Sequence, residues 1–182
     1  SKKIPKIFKK AIGFIWPKVE YKILKNINVI FAEKSYKKDY SFVKSHVDIL
    51  NMPLLDQLRK INTNKHKRFT IGYVGDVSAD RGCIKTLEAI YMLQKKGFNI
   101  GFECVGEIIN NSDKPKINKL ISKLNNVNFH GKLSPQTAWG KIAKCHIGIA
   151  LLMPKPNYIE SYPTKLFEYL AMEIPAIASN FP

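Results

Sequence analysis

From Phe69 onward, five short apolar runs alternate with four segments of helical periodicity, and few folds accept that order. The runs are 69–74, 99–105, 127–130, 146–152 and 175–179. Residues 81–96 place Ile84, Leu87, Ile90 and Leu93 on one face, and Gly97 closes that helix. Asp113 with Pro115 starts a helix carrying Leu120, Ile121 and Leu124. Ser134 caps and Pro135 opens a helix to about residue 145, and Pro163 opens another through Met172. Apolar strands separated by helices imply right-handed β-α-β units and a parallel sheet covered on both faces, an α/β architecture. Ligands of such sheets bind at the carboxyl ends of the strands. Gly75, Gly106, Gly131, the segment after Leu152 and Asn180 are therefore expected on one rim.

The first third of the chain reads differently. Residues 1–26 alternate Lys with Ile4, Ile7, Phe8, Ile12, Ile15 and Trp16, and Pro5 and Pro17 bound the stretch between them. The pattern predicts a short amphipathic basic helix, either packed on its own domain or lying at an interface. Residues 28–32 read as a buried strand, 33–40 as a polar helix and 47–50 as a strand, before a turn at 51–53. Residues 62–68 are polar without periodicity. The expected organisation is a basic segment 1–61, a linker 62–68 and an α/β domain 69–182.

Composition narrows the function classes. A net charge of +16 invites nucleic acid, but only three of the 30 basic residues are Arg: Arg59, Arg68 and Arg81. Arg is the side chain that reads bases and phosphates bidentately. Residues 1–68 hold 17 basic and 5 acidic groups, a net +12, and the remainder nets +4, so the basic field belongs to the first third. No nucleic-acid motif is legible, and a nucleic-acid partner is not expected. No apolar run approaches the ~18–20 residues of a membrane span, and no signal peptide is legible. Cys83, Cys104 and Cys145 are far apart and odd in number, which suits buried thiols in a reducing cytoplasm. His46, His66, His130 and His146 are scattered without metal-ligand spacing, so no metal or other cofactor is expected. His130 and His146 border strands and read as structural, although His130 precedes Gly131 and the rim.

The segment after the fourth strand carries the most chemistry. It runs Tyr158-Ile-Glu-Ser-Tyr-Pro-Thr-Lys-Leu-Phe-Glu-Tyr-Leu-Ala171, with Glu160 before the helix and Glu168 in its second turn. Thr164, Lys165 and Leu166 occupy the first turn, where backbone N–H groups lack partners within the helix and favour a phosphate. Lys165 adds a full positive charge. Glu168 accepts hydrogen bonds and donates none, which suits the vicinal hydroxyls of a ribose. Two glutamates with seven residues between them are ordinarily solvated surface carboxylates. Their position around Pro-Thr-Lys at a helix start points instead to a nucleoside diphosphate carrying a hydroxylated group such as a sugar.

With these residues in view, the sequence resembles the retaining two-domain (GT-B) glycosyltransferases of family four. Ser161 to Asn180 resembles that family's nucleotide-sugar loop, its helix and the next strand, with Glu160 and Glu168 as the Glu-x7-Glu pair. Gly72 to Gly82 resembles its first strand and glycine loop, and Phe129-His-Gly131 its base-contacting turn. The resemblance covers about residues 69–182. It implies a Rossmann-like donor domain of the GT-B architecture, preceded by a remnant of the N-terminal acceptor domain and ending before the last strand and helix.

The resemblance also assigns roles. Glu160, Lys165 and Arg81 would be catalytic, with Glu160 on the donor sugar's hydroxyls and the two cations on the phosphates. Thr164 and Leu166, together with Lys165, would hold the diphosphate; Glu168 would take the ribose hydroxyls; Gly131, Lys132 and Leu133 would meet the base. Gly75, Asp76 and Tyr162 complete the expected donor site. Asp76 stands where the family often has an Arg, Ser161 where Gly commonly follows the first Glu, and Glu173 where Gly commonly follows the helix. The implied reaction is metal-free sugar transfer with retention from a nucleotide-diphosphate sugar to a carbohydrate or lipid-linked acceptor, in polysaccharide or glycolipid assembly. The fragment is expected to bind donor but not to turn over. Its expected location is cytoplasmic, peripheral at the inner membrane face through an anionic surface met by residues 1–26. The rival readings are a nucleotide-sugar epimerase on the same fold and a non-catalytic basic binding module.

Overall fold

The computed structural model describes residues 6–181 and divides into two compact units, 1–51 and 52–182. In the first unit, helix α1 (Lys6–Leu24) is followed by strand β1 (Val29–Phe31), helix α2 (Tyr36–Asp39) and strand β2 (His46–Asp48). β1 and β2 pair in parallel, joined through α2. Phe31 and Val43 are buried, Tyr40 Oη donates to Glu20 Oε1 at 3.1 Å, and the Tyr21 and Phe42 rings lie 4.7 Å apart. The helix expected in residues 1–26 is present but longer. Pro17 lies inside it rather than bounding it, and Pro5 falls outside the described residues. Phe8, Ile12, Ile15, Trp16, Val19 and Ile23 share one stripe of α1 and are all exposed. Among the described residues no helix is long and apolar enough to cross a membrane.

The second unit begins with the short helix α3 (Leu55–Leu58), then strand β3 (Thr70–Val74), helix α4 (Cys83–Lys95), strand β4 (Gly101–Val105) and helix α5 (Lys114–Ile121). Strand β5 (Val127–Phe129), helix α6 (Pro135–Ile142) and strand β6 (Ile147–Ala150) follow. Helices α7 (Pro156–Ile159) and α8 (Thr164–Ala171) and strand β7 (Ala176–Ala178) complete it. The strands form one parallel sheet in the order β5-β4-β3-β6-β7. This is the expected Rossmann-like α/β fold, with helices on both faces.

Two apolar layers sandwich the sheet. On one face, Ile71, Tyr73, Phe102 and Cys104 pack on Leu87, Ile90 and Ile117 from α4 and α5. On the other, Val105 and Ala150 pack with Ala138, Ile142, Tyr169 and Met172 from α6 and α8, and with Leu58 of α3. The stretch read as a linker lies against this unit: His66 N donates to Lys144 O at 2.9 Å and Lys65 Nζ to Ala143 O at 2.9 Å. Cys83, Cys104 and Cys145 are free and buried, and burial pushes the Cys83 and Cys145 thiols up to about 12.

The sheet order reverses between β3 and β6, each of which starts a crossover in the opposite direction. Their pairing covers only Ile71 with Ile147 and Gly72 with Gly148. Beyond it, Tyr169 joins the two strands: Val74 N donates to Tyr169 Oη, which donates to Ile149 O, both at 3.2 Å. The ring lies directly on Gly148, where a Cβ would meet Tyr169 Cγ at 2.6 Å. Glycine there is required by close approach.

Candidate functional site

The crevice of a doubly wound sheet opens at the carboxyl ends of the strands where the order reverses. Here that is the end of β3, at Gly75 and Asp76, and the segment after β6. The rim glycines do come together. Gly75 N donates to Val105 O at 2.9 Å and Gly106 N to Gly131 O at 2.8 Å. Gly106 has φ +149, and a side chain there would run into the Gly75 carbonyl, so two rim turns meet through a residue that only glycine can occupy. Leu152 N donates to Ser179 Oγ at 2.8 Å, which ties the segment after β6 to the end of β7.

α8 delivers Lys165 to this rim. Its Nζ is buried, has no hydrogen-bond partner among the described residues and lies 4.2 Å from the centre of the Tyr73 ring. A Cβ on Gly75 would sit 3.5 Å from that nitrogen. An ammonium so placed is costly, and burial lowers its pKa to about 8, with the neighbouring Arg81 pushing the same way. Arg81 repeats the pattern. Its Nε is buried without a hydrogen-bond partner among the described residues, its Nη2 is 3.6 Å from Asp76 Oδ2, and its guanidinium lies 6.0 Å from the Tyr158 ring centre. Asp76, where a second cation was expected to be missing, is exposed and partly offsets Arg81.

The loop 75–82 between β3 and α4 is held by Tyr73 just before it and by two residues distant in sequence. Tyr73 Oη donates to Asp76 O at 2.5 Å, and Asp113 Oδ2 accepts from Ala79 N at 2.9 Å. Asp113 precedes α5 as expected, but its side chain makes no bond to its own helix. Lys155 pairs with Asp80 across the same loop, joining it to the segment after β6.

The other expected residues are distributed as follows. Thr164 opens α8, with Pro163 as its N-terminal cap. Leu166 N donates to Pro163 O at 2.8 Å, so that N–H is already used, and the Leu166 side chain packs in the core. Glu168 is half-buried on α8; burial raises its pKa, while a hydrogen bond from the Trp139 side chain and the charge of Lys165 oppose that rise. Glu160 ends α7 and is exposed. Tyr162 is exposed, with its ring 6.5 Å from Phe167. Gly131, at φ +66, leads into exposed Lys132 and half-buried Leu133. His146 is structural, its Nδ1 accepting from Thr70 N at 3.1 Å and its ring stacked on Phe69. His130 turns onto Glu103.

Four residues to which the sequence reading gave no role at the site shape it: Tyr73, Tyr169, Trp139 and Asp113. Their contacts with Lys165, Val74, Glu168 and Ala79 join residues far apart in sequence, which leaves no local signal. For Tyr73, the strand's alternation marked a core residue and nothing marked the cation above it.

Residues 68–182 match the family described as glycosyl transferases group 1. No curated protein matches the chain. Among solved structures, Staphylococcus aureus TarM, crystallised with UDP and sugar ligands, is 18% identical with a TM-score of 0.63, covering 90% of this chain and 33% of its own. The sucrose-phosphate synthase of Thermosynechococcus elongatus is also 18% identical with a TM-score of 0.63, covering 90% and 43%. Anabaena HepE, in complex with UDP and glucose, is 13% identical with a TM-score of 0.57, covering 84% and 44%. The chain thus spans less than half the length of these neighbours, which are GT-B glycosyltransferases. The match favours neither the epimerase nor the basic binding module. Its β-α-β sheet and the family match over residues 68–182 make the chain a member of the group 1 glycosyl transferases.

Proposed function

We propose that residues 69–182 form the half of a retaining glycosyltransferase that binds a nucleotide-diphosphate sugar. One observation carries the reading. Among the described residues, Lys165 Nζ and Arg81 Nε are both buried without hydrogen-bond partners, beside the glycine turn at the reversal of the sheet. Buried polar atoms are ordinarily satisfied, and buried charge is ordinarily paired. A diphosphate supplies both acceptors and opposite charge.

Sugar transfer leaves negative charge on the departing diphosphate, and preorganised cations near a helix start stabilise it as it develops. In this reading Lys165 and Arg81 do that work with Thr164 at the head of α8. Glu168 takes the ribose hydroxyls, the turn at Gly131 to Leu133 meets the base, and Glu160 and Tyr162 face the sugar. Glu160 is exposed in this structure, so its role requires the donor or the acceptor half to cover it. No metal is needed for this scheme. Residues 1–61 would belong to the acceptor half, and the acceptor would be a carbohydrate or a lipid-linked sugar, in polysaccharide or glycolipid assembly. The neighbours solved with UDP make it the first nucleotide to try.

The exposed apolar stripe of α1, flanked by Lys10, Lys18 and Lys22, supports a second role for residues 1–26: docking on an anionic membrane. That would keep the enzyme at the cytoplasmic membrane face, close to a lipid-linked acceptor.

Calorimetric titration with UDP, GDP, ADP and CMP tests the central reading, with Glu168→Ala run beside the wild type. Saturable binding of one nucleotide, weakened in the variant, is expected. No binding by any nucleotide would refute it.

A further inference from the structure

Glu103 stands in the middle of β4 and is only 8% exposed. It is a carboxylate in a strand whose other members, Phe102, Cys104 and Val105, are core residues. Such a group is costly to bury unless both oxygens are satisfied. Both are. Asn128 Nδ2 donates to Oε1 at 2.8 Å, and His130 Nε2 makes a short hydrogen bond to Oε2. Asn128 and His130 lie two residues apart on and just beyond the edge strand β5, so both reach the same face of the sheet.

His130 is the last residue before the turn at Gly131 to Leu133. Backbone bonds hold the entrance to that turn at two points, His130 N to Cys104 O at 2.9 Å and Gly106 N to Gly131 O at 2.8 Å. These two bonds lie nearly in the plane of the sheet. The Glu103 side chain adds a third support from the face, and it starts from an interior strand, paired on one side with β3 and on the other with β5. A leucine would fill the same space without needing partners. The carboxylate is accounted for by what it holds.

We infer that Glu103 is a positioning residue which, through His130, sets the turn at Gly131 to Leu133 against the nucleobase and so governs base preference. This rests on the proposal that the turn meets the base of the donor nucleotide. Glu103 itself touches no substrate in this scheme. The diphosphate cations Lys165 and Arg81 lie on other elements and do not depend on it.

The experiment compares UDP, GDP, ADP and inorganic pyrophosphate by calorimetry, using the full chain as wild type, Glu103→Ala, Glu103→Gln and His130→Ala. In the alanine variants the preferred base should lose about tenfold of its advantage over the others, the worth of about one hydrogen bond. Pyrophosphate affinity should stay within about twofold of wild type, because the phosphate cations are untouched. Glu103→Gln should keep part of the preference, since its amide oxygen still accepts one bond. If Glu103→Ala fails to fold, His130→Ala decides, being the less buried partner. Unchanged base preference in folded variants overturns the inference while leaving the base reading intact. Equal loss of pyrophosphate and of every nucleotide makes Glu103 a general stabiliser and also overturns it. A wild type without base preference removes the base reading of the turn, and this inference with it.

Discussion

Replacing Lys165 by Met should stabilise the folded chain while weakening its hold on a diphosphate. The folded state lowers the lysine's pKa from 10.5 to about 8, chiefly through burial. At about 1.36 kcal/mol per tenfold, holding the charge at pH 7 costs the free protein ~3 kcal/mol. The Tyr73 ring beneath Nζ returns ~0.5–2 kcal/mol of this. Methionine keeps most of the shape without the charge, so a net gain of ~1–2 kcal/mol is expected, or roughly 3–6 °C in Tm for a chain of this size. The pH dependence has a definite sign. Between pH 8 and 10.5 the unfolded chain holds a proton that the folded one has lost. Wild-type stability should therefore gain from this group as pH rises through that window, and the gain should vanish in Lys165→Met. A bound diphosphate favours the charged form, so wild-type affinity for UDP should fall above about pH 8. The variant should bind UDP ~10–100-fold more weakly at pH 7, the worth of a charge-assisted hydrogen bond, with no fall in that window. Thermal melts and calorimetry at pH 7 and 9.5 read both effects. A variant that melts at or below the wild-type temperature, with wild-type UDP affinity indifferent to pH, would refute the reasoning.

Glu168→Ala should lose one or two hydrogen bonds to the ribose, each ~1 kcal/mol or somewhat more for a charged acceptor; equal affinity for UDP in variant and wild type would remove the ribose assignment. Trp139→Phe keeps a ring but removes the donor that holds the Glu168 carboxylate in its charged form. It should move the acid limb of UDP binding to higher pH, as followed by titrations from pH 5 to 7. Gly148→Ala forces a methyl into the Tyr169 ring and should cost ~3 kcal/mol or more in urea denaturation; a cost under about 1 kcal/mol would mean that α8 is not seated as described. Vesicles with anionic lipid should sediment the whole chain but not one lacking residues 1–26, and equal recovery of both in the supernatant would dismiss the membrane surface.

Much of the second unit was legible because its elements obey simple periods. The apolar runs at 69–74 and 99–105 became β3 and β4, and Ser134 with Pro135 opened α6, where Thr137 N donates to Ser134 Oγ. Strand and helix ends shifted by one to three residues, as fraying and turn geometry make usual. The four-residue helices α3 and α7 were not legible, since one turn has no period to detect. Pro17 read as a boundary, yet α1 runs through it. The strand 47–50 began one residue earlier, at His46.

The site divides along the same line. The segment 158–171 announced a helix start bearing a cation, the candidate phosphate site, through Pro163, Thr164 and Lys165, because caps, prolines and charges act within one turn of chain. Glu103 announced nothing: one acid in an apolar strand gives no hint of Asn128 and His130, 25 and 27 residues away. The amino-acid sequence by itself determined most of the strands and helices of the second unit, that its strands run parallel, and that a helix opens at Pro163-Thr164-Lys165, since all three follow from local pattern and chain connectivity. Only the tertiary structure decided the strand order β5-β4-β3-β6-β7, and with it the place where the sheet reverses. That order buries Lys165 Nζ and Arg81 Nε without hydrogen-bond partners among the described residues. Pairing between strands distant in sequence is a property of packing, and so is the desolvation that makes those two nitrogens a candidate site.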